Sequence, residues 1–291
     1  MINVAVLLTC HNRREKTLRC LATLARQQLT GICLTIYLVD DGSVDGTKDA
    51  VASQYPDVIL LEGHGELYWN GGMRLCWQRA LQDGADFYLW LNDDVSLVND
   101  AIDRLVACYL YQASLHQVGA VIGTMLDPTA NKPSYGGRNK KYSFHPLALS
   151  DVLIPGESAI ECDYINGNLC LIPAKAQQTI GILSDRFTHS MGDFDYGLRL
   201  QAAGFSLWVA PGQFGYCTPH LIKGSVRDAS IDMATRLQWT KKPNVWPPLQ
   251  EWLWFVRLHG GPIRPFLQVK AILRRQLPRL WLWLNQSRPE A

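Results

Sequence analysis

Over its first 125 residues the chain switches between short apolar, β-branched runs and longer stretches whose apolar positions recur every three or four residues. That alternation predicts a mostly parallel sheet with crossover helices, an α/β fold of Rossmann-like type. Val4 to Thr9 predicts the first strand. Arg14 to Gln28 carries Leu18, Leu21, Ala22 and Ala25 on one face and predicts a helix. Leu34 to Val39 predicts a second strand closing in Asp40-Asp41-Gly42-Ser43, followed by a helix from about Gly46 to Tyr55 and a strand over Val58 to Glu62. Asn70-Gly71-Gly72 leads into a helix carrying Leu75, Cys76, Arg79 and Ala80. Phe87 to Leu91 is wholly apolar, a buried strand that breaks into Asn92-Asp93-Asp94.

Further along, Asn99 or Asp100 caps a helix through Tyr111, and Val118 to Met125 predicts another strand. Asp127 to Pro146 is rich in Pro, Gly, Asn and Lys and predicts a mobile loop. Tyr164 to Ile172 predicts a strand, Asp193 to Ala203 a helix closed by Gly204, and Phe205 to Ala210 a short strand. The pattern changes beyond Pro243, where Trp246, Trp252, Trp254, Trp281 and Trp283 mix with Arg257, Arg264, Lys270, Arg274, Arg275 and Arg279. The expected organisation is a domain over residues 1–243, with halves 1–125 and 126–243, and a helical region over 244–291. Pro262, Pro265 and Pro278 exclude one long helix there.

The net charge of +2 favours neither a nucleic-acid partner nor an acidic substrate. From Trp246 to Ala291, however, seven Lys or Arg face two Glu, so positive charge gathers at one end. Eight cysteines show no CxxC or metal-ligand spacing, which favours reduced, buried cysteines in a cytosolic protein. Met1 to Cys10 runs into His11-Asn12-Arg13-Arg14 without a small-residue cleavage site and is taken as a core strand. No apolar stretch is long enough for a transmembrane helix.

Candidate chemistry falls at the carboxyl ends of strands, where open parallel sheets bind ligands. Asp40-Asp41 and Asp93-Asp94 both occupy such ends. Acidic pairs beside a diphosphate need a divalent cation between them, and oxygen ligands suit Mg2+ or Mn2+. Each pair taken alone is equally a polar turn. Asn70-Gly71-Gly72 lets backbone N–H groups approach a phosphate or simply turns into its helix.

In this order and spacing the motifs resemble the family 2 glycosyltransferases of the GT-A fold: Val4 to Asn12, Val39-Asp40-Asp41-Gly42-Ser43 with Asp45, Asn70-Gly71-Gly72, Leu91-Asn92-Asp93-Asp94 and Gly192-Asp193-Phe194-Asp195. The resemblance runs from Val4 to about Ser225. It implies an inverting transfer from a nucleoside-diphosphate sugar of UDP or dTDP type to a glycan or polyprenyl-linked acceptor in bacterial surface-polysaccharide synthesis. Thr9 and Asp41 would border the pyrimidine, with Asp40 supporting the turn, Asn12 beside it, and Arg13 and Arg74 approaching the base or diphosphate. Asp93 would bond the ribose and Asp94 hold Mn2+ or Mg2+, with Asn92 in place of the motif's first Asp. Asp193 corresponds to the catalytic base, although Gly192 replaces the Glu that precedes it in the family. A base is needed because a sugar hydroxyl is a weak acid. Asp193 and Asp195 also suit capping of their helix. His220, in Thr218-Pro219-His220, resembles the late histidine that completes the metal shell, and is otherwise a loop residue. Asn166-Gly167-Asn168 resembles the acceptor-side loop.

Two roles suit the basic, Trp-rich region: contact of residues 246–291 with the cytoplasmic face of the inner membrane, or packing onto the domain. A nucleotidyltransferase is the competing enzyme class, but Thr9-Cys10-His11-Asn12-Arg13 lacks its Gly-rich loop. A non-enzymatic nucleotide-binding protein or membrane scaffold would have no use for Asp193 and His220.

Overall fold

A computed structural model of the chain describes residues 1–219 and 222–287. Strands β1 (Ile2–Cys10), β2 (Ile32–Asp40), β3 (Ile59–Glu62) and β4 (Phe87–Leu91) are joined through helices α1 (Arg14–Leu24), α2 (Thr47–Gln54) and α3 (Tyr68–Asp83). The short β5 (Ser96–Leu97), helix α4 (Ala101–Ala113) and β6 (Val118–Leu126) follow. Then come β7 (Pro133–Tyr135), β8 (Lys140–Tyr142), β9 (His145–Leu149), β10 (Ile160–Glu161), β11 (Leu169–Pro173), α5 (Ala174–Ile180), α6 (Gly192–Ala202) and β12 (Ser206–Tyr216). The chain closes with α7 (Met233–Trp239), α8 (Leu249–His259), a 3-10 turn (Gly261–Ile263), α9 (Arg264–Gln276) and α10 (Pro278–Leu284).

One sheet runs through the molecule in the order β10-β12-β6-β11-β4-β1-β2-β3. β3, β2, β1 and β4 are mutually parallel, and β11 enters antiparallel between β4 and β6. The halves expected at 1–125 and 126–243 therefore share a single sheet.

Both faces of that sheet are covered, which is why its strands are apolar at successive positions. Val4, Val6 and Leu8 of β1 pack with Cys20, Leu21 and Leu24 of α1 and Ile102 and Leu105 of α4. Ala5 and Leu7, on the opposite face, join Met73, Cys76, Trp77 and Ala80 of α3 and Tyr196 and Leu200 of α6. The three layers bring the carboxyl ends of β1, β2 and β4 to one edge.

The structure departs from the sequence pattern in several places. The loop expected over Asp127 to Pro146 contains β7, paired with β6, and the β8 arm of a hairpin with β9. The strand expected from Tyr164 begins only at Leu169, after a turn through Asn166-Gly167-Asn168. Helix α3 starts at Tyr68, so Asn70-Gly71-Gly72 lies inside its first turns instead of ahead of it. Helix α6 starts at Gly192 with the left-handed Met191 (φ 70°) as N-cap; no side chain caps it, and neither Asp193 nor Asp195 does so.

The segment after β12 also packs against the end of the C-terminal region. Ser287 bonds the backbone of Arg227 and Ala229, and Arg236 of α7 bonds Gln286, so the segment after β12 and the last helix form one unit. Four of the five tryptophans beyond Pro243 pack within the protein. Trp246 is buried under Arg274, Trp254 lies 3.7 Å from the guanidinium of Arg186, Trp252 stacks on Phe255, and Trp281 faces Lys270 and Arg274; Trp283 remains 59% exposed. No described helix is long and apolar enough to cross a membrane.

Candidate active site

Three strand ends and two helix starts converge at the carboxyl edge of β1, β2 and β4. After β1 the chain turns through Asn12 in a left-handed conformation (φ 51°), which Asn tolerates better than most residues. Asn12 ties this turn to the one after β2: its backbone N–H donates to Ser43 Oγ, and its Oδ1 accepts from Val44 N at 2.8 Å. The turn starts α1 with Arg13 and Lys16 directed at β4. Arg13 Nη1 donates to Asp93 Oδ1 at 2.7 Å and Asp94 Oδ2 at 3.2 Å, and Lys16 Nζ stands 3.8 Å from Asp94 Oδ2.

Asp93 is buried and Asp94 half-buried. Burial, reinforced by the negative charge of Asp94 and opposed by Arg13, pushes the Asp93 carboxyl up to about 6. Asp94 Oδ1 lies 3.6 Å from Cys217 Sγ, whose thiol is pushed up to about 12 by burial and by Asp94. Among the described residues no group of three His, Cys, Asp or Glu forms a metal cage. A hard cation that takes one carboxylate and completes its shell with diphosphate oxygens and water needs no such cage, and the half-buried Asp94 fits that arrangement. His220 lies outside the described residues.

Asn92 is fixed by Trp69 of α3, whose indole N–H donates to Asn92 Oδ1 at 2.8 Å. An indole only donates, so the amide oxygen must face Trp69, which leaves the amide NH2 for another acceptor. Gly167 is needed over the same indole: a Cβ there would fall 2.3 Å from the Trp69 ring.

Asp193 sits half-buried in the first turn of α6. Its Oδ2 accepts from Gly167 N at 3.1 Å and its Oδ1 from Phe194 N at 2.9 Å, while burial raises its carboxyl to about 6. The turn Asn166-Gly167-Asn168 thus joins the two ends of the site. Gly167 N reaches Asp193, Asn168 O accepts from Asn92 N, and Asn168 Nδ2 reaches Cys217 beside Asp94. Gly167 and Asn168 are buried in this positioning role, and Asn166 Oδ1 closes the turn by accepting from Asn168 N.

Other expected donor residues prove to be structural in their contacts. Both oxygens of Asp41 are engaged by backbone, Oδ1 by Gly65 N at 2.8 Å and Oδ2 by Tyr68 N at 3.0 Å. Asp41 thereby orders the loop into α3, including Tyr68 in its left-handed conformation (φ 53°), and is 3% exposed. Asp40 Oδ1 accepts from Ser43 N, while its Oδ2 is sealed in without a partner. Asn70 is fully buried and donates to Ser184 O and Phe187 O, well inside the protein. Gly72 lets α3 approach β1, since a Cβ there would meet Thr9 Oγ1, and a Cβ on Gly71 would press on Leu67. Arg74 is half-buried one turn further along α3, its Nε sealed and without a hydrogen-bond partner.

Residues 5–147 match the family described as glycosyl transferase family 2. Over that stretch, just under half of its length, the chain is similar to that family. No curated protein sequence matches it. Among solved structures, the chain is similar to the mannosyltransferase PcManGT from Pyrobaculum calidifontis in complex with GDP-Man and Mn2+. The TM-score is 0.54 at 15% identity, over 97% of this chain and 72% of that one. It is also similar to GalNAc-T7 with UDP, GalNAc and Mn2+, with a TM-score of 0.61 at 11% identity over 95% of this chain. The chain spans only 55% of GalNAc-T7. These likenesses establish the GT-A architecture of the chain.

Within that architecture, Lys16, Trp69 and Cys217 escaped the sequence reading. Lys16 was legible as a cation one turn after Arg13, on the helix face that meets β4. Trp69 precedes Asn70-Gly71-Gly72, but nothing in the sequence pairs it with Asn92, and Cys217 looked like one more buried cysteine.

Proposed function

We propose that this glycosyltransferase moves a hexosyl or deoxyhexosyl group from a UDP- or dTDP-sugar to a glycan or polyprenyl-linked acceptor with inversion, in cell-surface polysaccharide synthesis. The observation that carries the reading is the turn 166–168, which ties the carboxylate of Asp193 to the strand end bearing Asp93 and Asp94. The acceptor hydroxyl oxygen bonds the anomeric carbon, its proton passes to Asp193, and the bond from that carbon to the diphosphate oxygen breaks, releasing the nucleoside diphosphate. A carboxyl raised to about 6 is a stronger base than an ordinary Asp yet largely ionised at neutral pH. Arg13 and Lys16 bring positive charge to the leaving diphosphate, and Asn92 offers its amide N–H to a donor oxygen. Asp94 would hold Mn2+ or Mg2+, with His220 as a further ligand; bound there, the cation neutralises charge on the diphosphate.

The outer side of α9 and α10 supports peripheral attachment to a membrane. Phe266, Val269, Leu273, Leu277, Leu280 and Trp283 are each at least 49% exposed, and no acidic residue occurs from Trp252 to Ser287. Apolar anchors among unopposed Lys and Arg suit the headgroup region of an anionic bilayer.

A thermal-shift series of UDP, dTDP and GDP, each with and without Mn2+, tests the donor reading. One nucleotide should stabilise the protein, more so with Mn2+; no stabilisation by any of them contradicts it.

A further inference from the structure

Helix α8 packs against the segment that carries Asp193. Residues 184–195, which deliver Asp193, contain no strand and reach α6 through the left-handed, non-glycine Met191. Such a segment needs outside support to hold a side chain in place. On one side that support is Asn70 of α3, whose Nδ2 donates to Ser184 O at 2.8 Å and Phe187 O at 2.6 Å while its backbone N–H reaches Thr188 O. On the other it is α8.

Glu251, in the first turn of α8, accepts from Thr188 N at 3.1 Å and from Thr188 Oγ1 at 2.5 Å. His259, in its last turn, donates from Nε2 to Asp195 Oδ1 at 2.9 Å, while Arg199 Nε donates to Asp195 Oδ2 at 2.7 Å. Asp195 is fully buried, and a buried carboxylate keeps its place only while its oxygens are paired. Between these polar contacts Phe255 packs edge-on against Phe187 and joins Met191 in one apolar cluster. Helix α8 therefore grips the base-bearing segment on both sides of Met191, with Glu251 before it and His259 after it.

We infer that Glu251 and His259 are positioning residues for the transfer reaction, holding residues 188 and 195 so that the intervening Asp193 stays in place against the turn 166–168. This rests on the reading of Asp193 as the base. The two residues act through the segment and not on substrate, so they govern turnover more than nucleotide affinity. Burial raises the Asp193 carboxyl, so loosening the segment that carries it lowers the carboxyl toward the ordinary range.

The test uses the full-length protein with Mn2+ and whichever UDP-, dTDP- or GDP-hexose it hydrolyses fastest. His259→Ala should lower kcat about 10- to 100-fold, since small misplacements at a reacting centre cost rates of that order. Its Kd for the matching nucleoside diphosphate should stay within about twofold of wild type. The acid limb of its kcat profile should move below 6, and His259→Gln, which keeps an N–H donor, should recover most of the rate. A lower melting temperature with unchanged kcat and unchanged acid limb would mean that His259 only stabilises the fold, and would overturn the inference. If His259→Ala does not fold, Thr188→Val removes one bond to Glu251, and the same two readouts decide on that variant. Asp193→Asn separates the two ideas: if it turns over normally the base reading fails, whereas a dead Asp193→Asn beside a fully active His259→Ala fails the positioning role alone.

Discussion

Asp193 accepts two backbone N–H groups and still ionises late, because burial outweighs both bonds. Its charge therefore costs stability. The folded protein binds this proton more tightly than the unfolded chain does, so its contribution weakens as pH rises from about 4 to about 6 and stays lost above that. Asp193→Asn should raise the melting temperature at pH 8, by an amount corresponding to at most roughly 2 to 3 kcal/mol, and the gain should vanish below pH 4. Melting curves at the two pH values check this; equal gains at both would mean that Asp193 ionises normally. Wild-type kcat should fall about tenfold per pH unit below 6, as expected for a base that must be ionised. Trp69→Phe removes the indole N–H that orients Asn92 and should raise KM for the donor sugar while leaving the Kd of the free nucleotide nearly unchanged. A parallel loss in both would place Asn92 on the nucleotide instead of the sugar.

At the scale of elements, close contacts explain why certain residues stand where they do. Glycine is needed at position 192 because a Cβ would fall 2.0 Å from Asn70 Oδ1, and Asn70 cannot yield while its amide holds Ser184 and Phe187. Gly192→Ala should cost about 1 to 3 kcal/mol by overpacking. Its effect should be smaller in an Asn70→Ala background, and simple additivity in a double-mutant cycle would dissociate the two positions. The strands were legible because a sheet covered on both faces writes itself in consecutive apolar residues, as in Phe87 to Leu91. Strand ends were legible as acidic turns for the same reason. Helix starts were less so: neither α3 nor α6 has a side-chain cap, and the Gly-rich run at 70–72 looked like a lead-in although tertiary packing against Thr9 and Leu67 explains its glycines. Asp41 and Asn70 were read as ligand-facing because a strand-end carboxylate and a loop Asn look alike whether they meet substrate or backbone. Only the fold brings Gly65, Tyr68 and Ser184 to them.

Across the whole molecule, the Trp-rich C-terminal region faces two ways. Its α8 side joins the segment that carries Asp193 through Phe255, Glu251 and His259, while α9 and α10 turn apolar and basic side chains outward. The composition showed that this region was distinct, but which tryptophans pack and which stay outside depends on contacts such as Arg186 with Trp254 that no local pattern encodes. Replacing Phe266 and Trp283 together by Ser should abolish sedimentation with anionic vesicles at low salt while leaving donor hydrolysis intact; equal sedimentation would remove this face from membrane contact. In the proposed reaction the donor lies at the strand end bearing Asp93 and Asp94 and the base is Asp193, the two joined by the turn 166–168. The most direct test of this arrangement is Asp193→Asn assayed for nucleotide binding by calorimetry with Mn2+ and for sugar transfer in the same preparation. The variant should bind nucleotide with wild-type affinity while transfer falls by at least about a thousandfold. Retained transfer, or affinity lost together with transfer, would contradict the arrangement.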